Sequence, residues 1–143
     1  MTPEQISLIK LTFVRVLDIK KEAGRLFYQR LFEIAPDTRA LFKTDIEEQS
    51  RKLMDSLALA VASLRNGPAL TEMLDGLGRR HAAYGVKDEH YGKVGEALIW
   101  TLEKGLGDAF TPEARQAWTA LYGAVADAMK KAAHSQAAQR SVA

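Results

Sequence analysis

An all-α single domain is the fold class this chain predicts, and three observations predict it. Apolar residues recur at spacings of three and four through nearly every segment, the period of helices with one buried face. The same helix-start signal occurs twice, as Thr2-Pro3-Glu4 and Thr111-Pro112-Glu113, with a hydroxyl cap followed by proline at the first helical position. No convincing strand is present, no internal repeat stands out, and no linker divides the 143 residues.

Each element has its own justification. At the first start, Gln5 is placed for a capping box with Thr2, and Ile6, Ile9, Leu11, Phe13, Val14, Val16 and Leu17 supply an apolar face beyond it. Asp18 to Glu22 is polar and reads as a tight corner. Gly24 leads into a second helix through Phe27, Tyr28, Leu31, Phe32 and Ile34. Ala35-Pro36 ends it, because the residue before a proline avoids the helical region. Gly24 is either a point of close helix crossing or an ordinary interior glycine. Pro36 to Phe42 is long enough for one or two turns, and Lys43-Thr44-Asp45 reads as loop.

From Glu47 a long helix runs to Arg65, with Gln49, Leu53, Leu57, Ala60 or Val61, and Leu64 inward. Asn66-Gly67 stops it, and Pro68 opens the next helix, which Gly85 breaks. Asp88 is placed to cap the following one, whose face is Tyr91, Val94, Leu98, Ile99 and Leu102 and whose end is Gly105 and Gly107. After Thr111-Pro112, the stripe Trp118, Leu121, Tyr122, Val125 and Met129 makes the last helix. The period fades after about Ala133, so the domain is expected to span residues 1–133 and residues 134–143 to form a mobile tail.

Composition narrows the function classes. The formal net charge is only +2, which points to no nucleic-acid or membrane-surface partner. Cysteine is absent, which removes disulfides, thiolate nucleophiles and thiolate metal sites together. The opening residues lack a basic segment followed by an apolar core, and the apolar run Leu57 to Ala62 is far too short to span a bilayer. A cytoplasmic protein is the default expectation.

The chemistry concentrates between Leu70 and Tyr84. Leu70, Leu74, Leu77, His81 and Tyr84 fall on one helical stripe, with Asp75, Arg79 and Arg80 off it. A helix laid down this way carries an imidazole inward among leucines. Such a histidine is either a hydrogen-bonded core residue or a metal ligand.

Several features then stand in one order. Phe27-Tyr28 comes first, and Pro36 lies six residues before Phe42. Gln49-Ser50-Arg51-Lys52-Leu53 opens a helix, and Gly78-Arg79-Arg80-His81 follows. Tyr91-Gly92-Lys93-Val94-Gly95-Glu96, Ala117-Trp118 and Tyr122-Gly123 complete the set. Over Met1 to Met129 this resembles the globin family, in particular bacterial single-domain globins and the haem domain of flavohaemoglobins.

The resemblance implies a globin fold around haem b, with His81 as the proximal iron ligand. A ligating histidine usually has its other ring nitrogen held by an acceptor, and the Leu77 carbonyl one turn earlier is placed for that. Tyr91 matches a tyrosine that polarises the proximal histidine in flavohaemoglobins. The glutamate that accompanies it there is replaced by Ala133, a departure that weakens the case for strong electron push. On the opposite side the family pattern puts Tyr28 and Gln49 over the iron as hydrogen-bond donors to a gas, with Leu53 one turn beyond. Phe42 matches the aromatic against the porphyrin face. Leu41, Leu77, Val94, Leu98, Tyr122 and Val125 are candidates for the apolar slot, and Lys52 and Arg80 are the cations nearest the propionates. His90 and His134 are assigned no iron.

Three functions of different class follow. The first is a gas-binding protein with a five-coordinate haem iron, taking O2 and also NO or CO, for oxygen transport or nitric oxide scavenging. The second is a nitric oxide dioxygenase, which would need a separate reductase because the chain holds no Gly-rich phosphate loop. The third is a haem-free globin-like interaction module. An inward Tyr, Gln and His together favour the first two over the third.

Overall fold

The computed structural model describes residues 1–142, with side chains described through Ser135. Among the described residues the chain forms six α-helices: α1 (Pro3–Asp18), α2 (Lys20–Ile34), α3 (Ile46–Ala62), α4 (Gly67–Ala83), α5 (Asp88–Leu106) and α6 (Pro112–Val142). Short 3₁₀ turns at Pro36–Leu41 and Gly107–Ala109 connect α2 to α3 and α5 to α6. No described helix is long and apolar enough to cross a membrane.

Both helix-start signals act as expected. Thr2 and Gln5 form a reciprocal capping box, with bonds of 3.1 and 3.0 Å. Thr111 caps α6 by accepting the Ala114 N–H at 3.1 Å. Elsewhere the boundaries shift. The corner between α1 and α2 is reduced to Ile19, so α2 starts at Lys20 rather than near Gly24. Asp45 caps α3 at the Glu47 N–H, 3.1 Å, and α3 ends at Ala62, three residues short of Arg65. Asn66 does not stop α3; it caps α4, accepting the Ala69 N–H at 3.2 Å. Asp88 is the first residue of α5 instead of its cap. The backbone of α6 continues helically to Val142. Most of the segment expected to be a tail, residues 136–143, has side chains outside the described residues.

The core is a layer of α1, α2 and α5 closed by α6, with α3 laid on α2 and α4 on α6. Ile9, Phe13, Phe27, Leu31, Leu102 and Trp118 fill its centre. The Trp118 indole N–H donates to the Thr12 hydroxyl at 2.8 Å, and that hydroxyl donates to the Leu8 carbonyl at 2.7 Å, so no buried polar group is left unpaired there. A second apolar cluster of Leu74, Tyr91, Ala126 and Met129 joins α4, α5 and α6. Tyr122 and Val125 pack against both clusters.

Two apolar expectations are overturned. Leu11 (67% exposed) and Val14 (60%), with Leu17, face outward on α1, because helical rotation turns Ile9, Thr12, Phe13 and Val16 inward instead. Tyr84 is 65% exposed: α4 ends at Ala83, so the stripe that brings His81 inward no longer applies one turn later.

Candidate functional site

His81 sits near the end of α4, where that helix lies against α6. The approach is set at Gly78, which faces the backbone of Met129. The imidazole is half-buried, and its Nδ1 lies 2.8 Å from the Leu77 carbonyl. A carbonyl only accepts, so Nδ1 carries the proton and Nε2 keeps its lone pair. Burial pushes the imidazole's pKa below its ordinary value; the Leu77 bond opposes this and the Arg80 charge adds to it. The ring is therefore neutral at pH 7, the form that binds metals.

The other described histidines differ. His90 uses both nitrogens, one on the Lys87 N–H at 2.9 Å and one on Asp37 at 3.2 Å. His134 is exposed and pairs with Asp88 at 2.9 Å. His81 alone among the described histidines combines partial burial with a ring nitrogen that no described protein group engages.

Tyr28 on α2 is buried in an aromatic cluster. Its ring meets Phe27 edge-on at 5.0 Å and Phe42 at 5.2 Å, with Phe32 at 5.9 Å. Desolvation raises the phenol's pKa far above its ordinary value, so the hydroxyl stays protonated and remains a donor. It donates to the Gln49 carbonyl oxygen at 3.4 Å, longer than the roughly 3.0 Å limit of a strong hydroxyl bond. The two residues expected side by side are thus together, but through Gln49's backbone. Gln49's side-chain amide donates instead to the Thr44 hydroxyl.

The expected apolar lining divides between the two clusters: Phe42, Leu53, Val94 and Leu98 belong to the first, Leu77 to the second, and Tyr122 and Val125 pack against both. Phe42, Leu53, Leu77, Val94, Tyr122 and Val125 are each only half-buried, while Leu98 is buried. Leu41 is half-buried too, with Cδ2 3.7 Å from where a Cβ on Gly85 would stand, so the first 3₁₀ turn reaches the end of α4. Behind Leu53 lies a cavity of ≈ 20 Å³ bounded by Phe27, Leu57, Leu98, Leu102 and Trp118 among others. Lys52 and Arg80 are exposed. Tyr91 is buried in the second cluster, where its carbonyl accepts the Tyr122 hydroxyl at 2.6 Å. Its own hydroxyl makes no bond to His81 among the described residues; Leu77 occupies Nδ1.

The chemistry of these residues, rather than an open cavity, is what suits a flat, largely apolar group with a metal at its centre. α3 and α4 make little contact with each other, several apolar side chains around them are only half-buried, and one imidazole lone pair is uncommitted. The structural role of His90 is not apparent from periodicity. The available signal is its place three residues after Lys87, the third-position slot of a capping arrangement. The roles of Gly78 and Gly95 carry no local signal. A Cβ at Gly95 would sit 2.7 Å from the Tyr122 ring, so that glycine makes room for the residue joining both clusters.

Six helices in this order, packed this way around such a site, define an all-α globin fold. The chain belongs to the globin family: the family model described as Globin matches residues 25–129. It is 34% identical over 122 residues to neuroglobin of Chaenocephalus aceratus, covering 76% of this chain and 77% of that protein. It is 31% identical over 147 residues to a flavohemoprotein of Bordetella pertussis, covering 98% of this chain but 36% of that protein. A flavohemoprotein of Vibrio cholerae is 30% identical over 125 residues, 85% of this chain and 32% of its own length. Among solved structures, a hexacoordinated heme protein from an anhydrobiotic tardigrade superposes with a TM-score of 0.85 over 94% of this chain and 96% of its own, at 20% identity, a likeness of fold.

Proposed function

We propose that this chain is a haem b globin that reversibly binds O2, and with it NO or CO, for oxygen binding and transport or nitric oxide scavenging. The observation that carries the reading is His81: a half-buried neutral imidazole whose Nδ1 proton is held by the Leu77 carbonyl and whose Nε2 is available. When bound, the haem would be held through its iron by His81 and would supply a metal able to take a diatomic gas.

The chain's residues do the rest. His81 holds the iron, with Leu77 setting its tautomer and ring orientation. Phe42, Leu53, Val94, Leu98 and Tyr122 enclose the porphyrin and exclude water. Lys52 and Arg80 meet the propionates at the exposed rim, and Leu41 closes the corner near Gly85. Tyr91 backs the proximal side as an apolar wall. Tyr28 offers a hydroxyl proton whose present bond is long and readily exchanged for a gas ligand. Gln49 offers an amide, restrained by Thr44, and an amide is a poor iron ligand; both points support a five-coordinate resting state.

Visible spectra of the purified protein, oxidised, reduced, and reduced under O2 and CO, test the reading. One haem per chain and reversible gas spectra are expected. A well-folded chain that ignores added haem overturns the reading in favour of an interaction module.

The flavohemoprotein likeness, which runs through 98% of this chain, favours one alternative use of the same pocket. There the chain would oxidise NO to nitrate with O2 while a separate reductase returned electrons. Nitric oxide consumption that rises on adding such a reductase and a nicotinamide cofactor distinguishes turnover from scavenging.

A further inference from the structure

We propose that His90 is a positioning residue for the gas pocket, tying the 3₁₀ turn that carries Leu41 into Phe42 to the start of α5 through Asp37. The inference rests on the reading of that pocket just given. His90 is only 7% exposed, and its two nitrogens answer to different parts of the chain. Nδ1 accepts the Lys87 N–H at 2.9 Å, which places the ring proton on Nε2. Nε2–H then donates to Asp37 Oδ2 at 3.2 Å, across 53 positions of sequence. One neutral ring thus closes the first turn of α5 and reaches a second segment.

Asp37 is itself 71% exposed, so the pair adds little as an ion pair. What the bond determines is where the turn sits. That turn is bonded internally: the Thr38 hydroxyl and N–H both donate to the Ala35 carbonyl, at 2.7 and 3.0 Å, and the Phe42 N–H donates to the Arg39 carbonyl at 3.2 Å. A constraint at Asp37 therefore carries to Phe42, whose ring stands edge-on to Tyr28 at 5.2 Å. Two residues on, Thr44 holds the Gln49 amide. His90 hydrogen-bonds to none of these pocket groups itself; it acts through the turn.

Capping and tethering separate by substitution. His90→Glu keeps an acceptor for the Lys87 N–H but has no proton for Asp37 and repels it. His90→Gln offers both an acceptor and an amide donor. Asp37→Ala cuts the tether without touching α5. In the full-length protein as purified, His90→Glu and Asp37→Ala are each expected to speed hydrogen exchange at the Phe42 amide severalfold and to weaken the Phe42–Tyr28 ring contact seen by NMR. O2 release should quicken about two- to fivefold, the share of one hydrogen bond passed through the turn, with CO release little changed. His90→Gln should restore all three.

Unchanged exchange and ring contact in both tether variants would overturn the proposal, as would His90→Gln behaving like His90→Glu. Faster exchange with unaltered O2 release from the haem-loaded protein would also overturn it, since the tether would then not reach the pocket. If the native chain takes up no haem, the functional reading fails, while exchange and ring contact still decide whether His90 positions the turn.

Discussion

A Cβ added at Gly78 would lie 2.3 Å from the carbonyl oxygen of Met129, closer than any real side chain approaches a backbone. α4 and α6 touch there backbone to backbone. The contact falls one turn before His81, so the spacing of these two helices sets how far the imidazole reaches.

Gly78→Ala should therefore destabilise the protein although alanine is the better helix former by about 1 kcal/mol. Forcing the helices apart is expected to cost about 1–3 kcal/mol net, read as a lower urea midpoint at unchanged slope. Haem retention should fall with it. A midpoint equal to or above that of the native chain would show that the crossing is looser than Gly78 and Met129 indicate.

His81→Ala removes the proposed iron ligand and should sharply weaken haem retention, measured by transfer to an acceptor apoprotein. His134→Ala, which loses only an exposed pair with Asp88, should leave the spectrum unchanged. If haem binds the folded chain and not the unfolded one, a hundredfold excess over Kd should add about 2.7 kcal/mol of stability, read as a higher unfolding midpoint. Retention of haem by the His81 variant would move the ligand elsewhere.

Tyr28→Phe deletes one hydroxyl and little volume. If that hydroxyl turns from the Gln49 carbonyl to the gas, O2 dissociation should quicken by up to about tenfold, one bond of about 1.4 kcal/mol, while CO responds much less. Gln49→Leu should have the smaller effect, since Thr44 already holds its amide. Stopped-flow rates for both gases decide this. Equal acceleration of O2 and CO would point to altered access rather than a lost donor.

Thr12→Val leaves the buried indole N–H of Trp118 without its acceptor, and should cost about 1–3 kcal/mol. Adding Trp118→Phe removes the orphaned donor, so the double variant should lose less than the two single losses summed, a coupling read from thermal unfolding of all four proteins. Strict additivity would mean that another acceptor replaces Thr12.

Signals that act along the chain are legible in the order of residues alone. Thr2 with Gln5 and Thr111 before Pro112 start helices because a cap needs only its own next three residues. Pro36 ends α2 by local sterics. Leu77 lies one turn before His81, which makes its carbonyl the candidate acceptor for a ring nitrogen, and Nδ1 stands 2.8 Å from it. Phe27-Tyr28, Pro36 and Phe42, with the motifs that follow them in order, are enough to suggest the globin family.

Contacts between distant segments are decided only by tertiary packing. Leu11 and Val14 read like Ile9 and Phe13 until α6 covers one side of α1 and leaves the other to solvent. Gly24 fits two readings as a residue in sequence; Ser50 Cβ stands 2.7 Å from its missing Cβ, which makes it the crossing point of α2 and α3. Gln49's amide turns to Thr44, five residues back, while its carbonyl meets Tyr28 from another helix. His90 has no evident task beside a helix start, and becomes a buried link only because folding carries Asp37 to its far nitrogen. A periodic pattern specifies which face of a helix is apolar, but neither which neighbour arrives there nor how closely. Those depend on volumes and hydrogen-bond partners that the chain brings together only when it folds.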